Sequence, residues 1–439
     1  MKNNRLLPFS MLIIGIGFLF LTACKKQNNE VFDPFNTDSK LRNLIVVISD
    51  IHLGANISYA EIDNNLEPLN SMLEQIRTSR NVKELVIAGD LLDEWFVPAT
   101  TDTYNGKNQS DFVQQIATTN RTVIDKLNQI IQEGKIKVTY VPGNHDMTIS
   151  AENIDLILPG INQARDAKGL GTYSPSECPE IAIEHGHRYN IIASPDPLSN
   201  QDIAEGTILP VGYFFTRLAV QHAIQECTES TDEIPLVTPN TSGDESQALL
   251  YGYWQNWAWW LDLFPIENHF NEKMIVTNID GFTETFSVND FLPYQEIQGG
   301  EIKVIRYNGI QDNWAERCTE NNVAVAIPTA DAFEYAGPSS GTDTMAVVQY
   351  FSNPNSTKRI VVFGHTHEAK ITTYNNYNGQ KSIYANSGTW IDDNLNGSTM
   401  NFVVITPQSD TTNSQTLVTL YSFTTELITE IAKDSLQLE

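Results

Sequence analysis

Five apolar runs in this chain each end in a short cluster of side chains of the kind that bind metal ions. LIVVISDIH delivers Asp50 and His52, LVIAGDLLD delivers Asp90 and Asp93, and VTYVPGNHD delivers Asn144, His145 and Asp146. IAIEHGH follows with His185 and His187, and VVFGHTH with His365 and His367. Six of the eight histidines fall in four of these clusters, and the Gly89-Asp90 cluster alone adds none. Imidazole is the commonest side-chain metal ligand, carboxylates suit hard divalent ions, and one carboxylate can bridge two metals. In open α/β sheets ligands sit in the crevice beyond the carboxyl ends of the strands. A chain that loads five strand ends in this way is restricted to folds in which those ends meet, and their convergence points to a single metal site.

The remaining pattern agrees with an α/β fold. Residues 44–49, 84–88 and 137–141 read as strands. Residues 59–80 read as a helix, with Ile62, Leu66, Leu69, Leu73 and Ile76 at helical spacing and Pro68 as an early interruption; residues 111–132 read as a second. Such alternation predicts sheets whose faces are covered by helices. Residues 382–390 and 401–406 read as closing strands. The fourth and fifth clusters are about 170 residues apart, far more than a loop needs. Residues 197–355 therefore read as an insertion between two parts of a core, 41–196 and 356–439. Inside it, QALLYGYWQNWAWWLDLF carries Trp254, Trp257, Trp259 and Trp260. This segment reads as a helix packing its aromatic face on the core, as an apolar wall over the site, or as a surface touching lipid.

Lys and Arg total 27 against 54 acids, a formal charge of −27. So few cations cannot form a large basic patch, which argues against nucleic acid as a general partner. Bound metal ions could still reverse the field locally for an anionic substrate. At the N-terminus, Lys2 and Arg5 precede an apolar run too short to span a bilayer comfortably, followed by Leu21-Thr22-Ala23-Cys24. Those four residues resemble a bacterial lipobox. That implies a signal peptide over residues 1–23, lipidation at Cys24, and a polar tether over 24–40 holding the protein to a membrane outside the cytoplasm. Of Cys178, Cys227 and Cys318, an exported protein could pair two, with Cys227 and Cys318 stapling one region, though nothing in the spacing decides it. Nothing in the sequence sets the oligomeric state.

Taken in order, D-x-H, G-D-x-x-D, G-N-H-D, H and G-H-x-H resemble the motif set of the calcineurin-like metallophosphoesterases, over about residues 41–196 and 356–439. The resemblance implies a four-layer α-β-β-α sandwich of two packed mixed sheets, carrying 197–355 as a large, partly helical insertion. It implies two divalent or trivalent metal ions (Mn, Fe, Zn or a mixture). Asp50, His52 and His367 would hold one metal, Asn144, His185 and His365 the other, and Asp90 would bridge them. It further implies hydrolysis of a phosphate mono- or diester by a metal-bound hydroxide. His145 would be the general acid and Asp93 its orienting carboxylate, although a turn or cap residue is the plain alternative for Asp93. Two divalent ions against two carboxylates and a hydroxide leave such a site net positive, as phosphate binding requires.

His185 and His187 lie two apart, so in an extended chain both point to the same side. The resemblance favours His185 as the ligand, leaving His187 to flank the second metal or touch substrate; Arg188 is either a phosphate contact or a plain surface arginine. A phosphorylated small molecule or lipid is the expected partner. The reading from another class is a surface lipoprotein whose site binds metal or ligand without turnover.

Overall fold

Runs of branched apolar residues become strands where both faces can be buried. The fold is described from a computed structural model over residues 32–438, apart from residues 38, 167, 337–340, 396, 410–413 and 426. The expected leader and Cys24 lie outside the described residues. In chain order the first part forms β1 (Leu44–Ile48), α1 (Leu66–Thr78), β2 (Val82–Ala88), α2 (Gln109–Thr119), α3 (Arg121–Glu133), β3 (Lys137–Val141), α4 (Ala151–Ile157), β4 (Asn162–Gln163) and β5 (Ile181–Ile183). Next come α5 (Gly212–Gln225), α6 (Glu245–Leu263), the short pairs β6 (Ile275–Val276) with β7 (Thr285–Phe286) and β8 (Tyr294–Gln295) with β9 (Ile302–Lys303), then α7 (Trp314–Glu320) and α8 (Thr329–Tyr335). The chain closes with β10 (Ile360–Phe363), β11 (Lys370–Asn375), β12 (Lys381–Asn386), β13 (Asn401–Thr406), β14 (Thr416–Phe423) and β15 (Ile428–Leu436).

Two mixed sheets result. One runs β15-β14-β13-β1-β2-β3-β4 and the other β11-β12-β10-β5. In the first, β1, β2 and β3 are parallel while β13 joins β1 antiparallel. In the second, β5, β10 and β12 are parallel and β11 antiparallel. Strand alternation divides each run between two cores. Ile45 and Val47 of β1 face Ile183, Val362 and Ala385 of the second sheet. Val46 and Ile48 instead join Leu69, Leu73 and Leu127 of the helices. The sheets therefore pack face to face, with helices behind the first and inserted residues behind the second, and the strand ends of both open on one side.

Several sequence expectations change at element ends. Helix α1 begins at Leu66 rather than at residue 59, because Pro68 is tolerated only in a first turn. The helix expected over 111–132 is two helices broken at Asn120, whose buried side-chain amide donates to the Gly54 and Ile116 carbonyls, 2.8 and 2.9 Å away. Such local side-chain bonds compete with the helical ladder. The strand expected over 382–390 stops at Asn386, and the next residues pass beneath the site instead. Phe35, within the expected tether, is buried and packs 5.4 Å from Phe402. The cysteine pairing does not form: Cys178, Cys227 and Cys318 are all free and buried. Burial pushes the Cys178 and Cys318 thiols up to about 11, so neither is a ready nucleophile.

Two buried arginines bind the inserted elements to the strand-end loops. Arg217 of α5 donates to the carbonyls of Val97, Pro98 and Val276 at 2.6, 2.7 and 3.1 Å. Arg317 of α7 donates to Pro195 O at 2.8 Å and lies 3.4 Å from Asp196. A guanidinium taken out of water survives only when its donors are used in this way. In α6, Trp257 is fully buried, 4.0 Å from Phe215, and truncating it to alanine would cost on the order of 3–5 kcal/mol.

Candidate metal centre

Three of the five clusters leave their strands through an unusual backbone. Asp50, His52, Asp90, His365 and His367 all have positive φ, between 50° and 68°. L-residues adopt this conformation at a cost of about 1 kcal/mol or more, and such strain gathers at functional sites. Loop-to-loop hydrogen bonds hold it in place. Asp50 N donates to Gly89 O, His52 N to Asp90 O, His145 N to Asp90 Oδ1 and His365 N to Asp50. The approach is close enough that a Cβ at Gly143 would collide with the Asp90 carboxylate, and one at Gly364 with that of Asp50.

The side chains then meet. Asp90 Oδ2 lies 3.1 Å from His185 Nε2 and 3.7 Å from His52 Nε2. Asp50 Oδ1 lies 3.1 Å from His367 Nε2 and 3.9 Å from His185 Nε2. Asn144 Oδ1 is 3.0 Å from His185 Nε2. Two groups, Asp50-His52-His367 and Asp50-Asp90-His185, each have ligand atoms all within 4.8 Å of one another.

Hydrogen bonds decide which ring nitrogens face the centre. His185 Nδ1 donates to Ala88 O at 2.9 Å, and His52 Nδ1 to Asp93 Oδ2 at 2.8 Å. Both rings therefore turn Nε2 toward the centre, the usual arrangement around metal-binding histidines. His52 Nε2 is buried without a hydrogen-bond partner. Around His185 Nε2, Asp90 Oδ2 and Asn144 Oδ1 are acceptors facing an acceptor, and a cation is what satisfies them. Without a metal, a proton takes that place: burial opposes charge on His185, but Asp90 and Asp50 outweigh it and raise its pKa to about 9. Burial likewise pushes Asp50 and Asp90 up, yet the imidazoles, His185 foremost, hold both below the usual carboxylate range. A carboxylate, imidazole and amide donor set of this kind fits Mn, Fe or Zn.

His365 enters differently. Asn190 Nδ2 donates to its Nε2 at 3.0 Å, leaving Nδ1 as the nitrogen available to a metal. Burial, aided by His185, pushes its pKa down to about 3, so it stays neutral and able to ligate.

His145 meets the His52 ring edge-on at 4.6 Å and forms, with His52, Glu61 and Asp93, a further group whose polar atoms lie within 4.8 Å of one another. Its Nδ1 lies 2.9 Å from Asp93 Oδ1, and its ring stacks on Trp95 at 4.6 Å. Asp93 serves His52 and His145 together and also accepts from the backbone N–H groups of Trp95 and Phe96, so the orienting and turn roles coincide in one side chain. Burial lowers the His145 pKa, but Asp93 and Asp90 more than reverse this, so the ring carries its proton readily.

Two sequence expectations fare differently at the fourth cluster. Gly186, at φ 103°, breaks the extended chain, yet the His187 ring still lies beside the second group of ligands, 6.4 Å from that of His365. His187 is buried with neither ring nitrogen hydrogen-bonded, its ring 5.3 Å from that of His185, and burial pushes its pKa well down. Arg188 corrects the expected phosphate contact. It is buried and its donors are committed to Glu184, Asp166, Asn321 O, Gly171 O and Thr172.

Four neighbours escaped the sequence reading. Glu61 lies 3.2 Å from His52 Nδ1, hidden inside a segment read as helix. Asn190 and Trp95 had no motif to mark them. Glu94, beside Asp93, is fully buried and accepts from Tyr104, Gln109 and Thr148, yet burial pushes its pKa from 4.5 up to about 7. The folded chain thus keeps a proton that the unfolded chain gives up. Stability from this group is complete below about pH 4.5 and is lost as pH rises to about 7. Glu94→Gln should remove that decline, gaining roughly 3 kcal/mol on the native protein between pH 4 and pH 8. Urea unfolding of both metal-free proteins at the two pH values checks it; parallel stabilities would refute it.

Residues 44–205 match the family model of the calcineurin-like phosphoesterases. No curated protein matches the chain. Solved structures that match include a Pseudomonas putida nuclease, MPE, at 17% identity and a TM-score of 0.20, covering 36% of this chain. The match spans 56% of the nuclease, little more than half its length.

Proposed function

With a calcineurin-like phosphoesterase domain at residues 44–205 as the premise, we propose that this chain hydrolyses phosphate esters at a dinuclear metal centre. Asp50, His52 and His367 would hold one ion, Asn144, His185 and His365 the other, and Asp90 would serve both. The observation that carries this reading is the position of Asp90 Oδ2, 3.1 Å from His185 Nε2 and 3.7 Å from His52 Nε2. When bound, two such ions polarise a phosphoryl oxygen and lower the pKa of water toward neutrality.

The chain's own residues supply the rest. Asn144 adds an oxygen ligand without spending positive charge, so the site keeps a net attraction for phosphate. His145 holds a proton at Nε2 and gives it to the leaving oxygen. Asp93 fixes the His145 tautomer and stabilises the imidazolium, as a triad carboxylate does. A site that only bound metal would have no use for this His145–Asp93 pair, which disfavours a non-catalytic reading. The lipobox-like sequence at Cys24 supports anchoring to a membrane outside the cytoplasm. No described helix is long and apolar enough to cross one.

The test is a panel of phosphate mono-, di- and pyrophosphate esters offered to protein stripped of metal and reloaded with Mn, Zn or Fe. Turnover should appear only after reloading and should saturate at about two ions per chain. Absence of turnover on every ester class at full loading would refute the assignment.

A further inference from the structure

Beside the metal centre lies a cavity of about 530 Å³, within the usual range for small-molecule sites. Its floor is formed by Asp90, Asn144, His145, His365 and His367. Its wall is mostly apolar: Phe215 of α5, Trp259, Trp260 and Leu263 of α6 with Phe264 beyond it, and Tyr335 of α8, with Thr216 and Asn256 as the polar side chains that α5 and α6 add. The one polar atom of the Trp260 ring is already spent, its Nε1 donating to Phe215 O at 2.7 Å. Trp259, Leu263 and Leu395 leave 36%, 45% and 91% of their surfaces in water at the edge of this cavity, although large apolar groups gain by burial. No Lys or Arg lines it among the described residues, and its carboxylate Glu368 is held 2.9 Å from Lys370.

We propose, building on the phosphoesterase reading above, that this wall selects the organic group of the substrate, and that the substrate is a phosphate ester of a large apolar, lipid-like alcohol. One phosphate would be neutralised by the centre; a chain of further phosphates would find no cation along the wall among the described residues. An alkyl group buries instead against Trp259, Trp260 and Leu263. Water oxygen would then bond to phosphorus, giving up one proton to solvent, as the bond from phosphorus to the alkyl oxygen breaks; solvent later restores the proton that His145 donates. The alkyl oxygen takes the proton of His145, which stacks on Trp95 where wall and floor meet. The products are the apolar alcohol and inorganic phosphate, or a phosphomonoester if the substrate is a diester.

The experiment uses the metal-loaded protein and short and long esters below their micelle concentrations. Ethyl and octyl phosphate form a monoester pair, and their methyl esters a diester pair in which release of ethanol or octanol is followed. In the pair that turns over, kcat/KM should rise at least about a hundredfold from ethyl to octyl, since each buried methylene contributes several-fold. In Trp259→Ala and Leu263→Ser, both partly exposed positions, that octyl-to-ethyl ratio should fall about tenfold or more. Turnover with a ratio near one overturns the apolar slot while leaving the phosphoesterase reading intact. If no ester turns over, the phosphoesterase reading fails, and calorimetry with ethyl- and octylphosphonate still decides the slot: equal affinities overturn it, tighter octyl binding weakened by both variants upholds it. Lost liposome binding in the variants, with the ester ratio unchanged, would assign the wall to membrane docking and overturn the proposal.

Discussion

Asp90→Asn is expected to leave the fold intact while removing the metal content of the centre and lowering kcat by more than about a thousandfold. The side chain is 1% exposed, and its two oxygens have separate duties. Oδ1 accepts the His145 N–H at 2.8 Å, a bond an amide oxygen can keep. Oδ2 stands between His185 and His52, where an amide nitrogen would turn a donor toward their Nε2 atoms. The ions together contribute several kcal/mol of charge stabilisation, and each 1.4 kcal/mol is a factor of ten in rate. Metal analysis and steady-state rates on the same preparation check the prediction. A second readout needs no metal. Asp90 is the principal charge raising His185 to about 9, so in the stripped variant the His185 ring signal should titrate at distinctly lower pH. Full metal occupancy and normal turnover would show that Asp90 does not join the two sides.

His145→Ala is expected to behave in the opposite way, keeping metal and losing rate. The His145 ring is tied to the ligand set only through neighbours: its Nδ1 is held by Asp93, which it shares with His52, and its ring lies on Trp95. A positioned general acid contributes about a hundred- to ten-thousand-fold. That loss should appear in full for esters of aliphatic alcohols, whose departing oxygen needs a proton. It should nearly vanish for p-nitrophenyl esters, whose leaving group departs as a stable anion. Asp93→Asn should fall between, because it disturbs His145 and, through His52, the centre as well. Equal losses for both leaving groups, or loss of metal in His145→Ala, would remove His145 from the acid role.

The comparison of sequence with structure turns on range. The strands β1, β2 and β3 were legible because unbroken branched runs have few other fates, and β3 ends where Pro142-Gly143 predicts. Helix ends were less legible, because a single side chain such as Asn120 can break a periodic run by reaching a carbonyl 66 residues away. Arg188 was misread for the same reason: next to a histidine cluster it suggests phosphate, and only the folded chain reveals Glu184 and Asp166 around it. The Trp-rich segment allowed several readings, and the helix divides them, with Trp257 in the core and Trp259 and Trp260 on the cavity.

By itself, the sequence determined that strand ends would carry carboxylates, imidazoles and an amide, since covalent order alone attaches each cluster to its apolar run. It thereby determined the kind of ion those ends suit. The tertiary structure alone decided how each group is presented. His185 takes its tautomer from Ala88, 97 positions away, and His365 is turned by Asn190, 175 positions away. Positive φ at Asp50, His52, Asp90, His365 and His367 is imposed by neighbouring loops against local preference. The apolar wall exists only because α5, α6 and α8 fold back over the strand ends. Contacts between distant residues set protonation, strain and shape, and no local pattern encodes them.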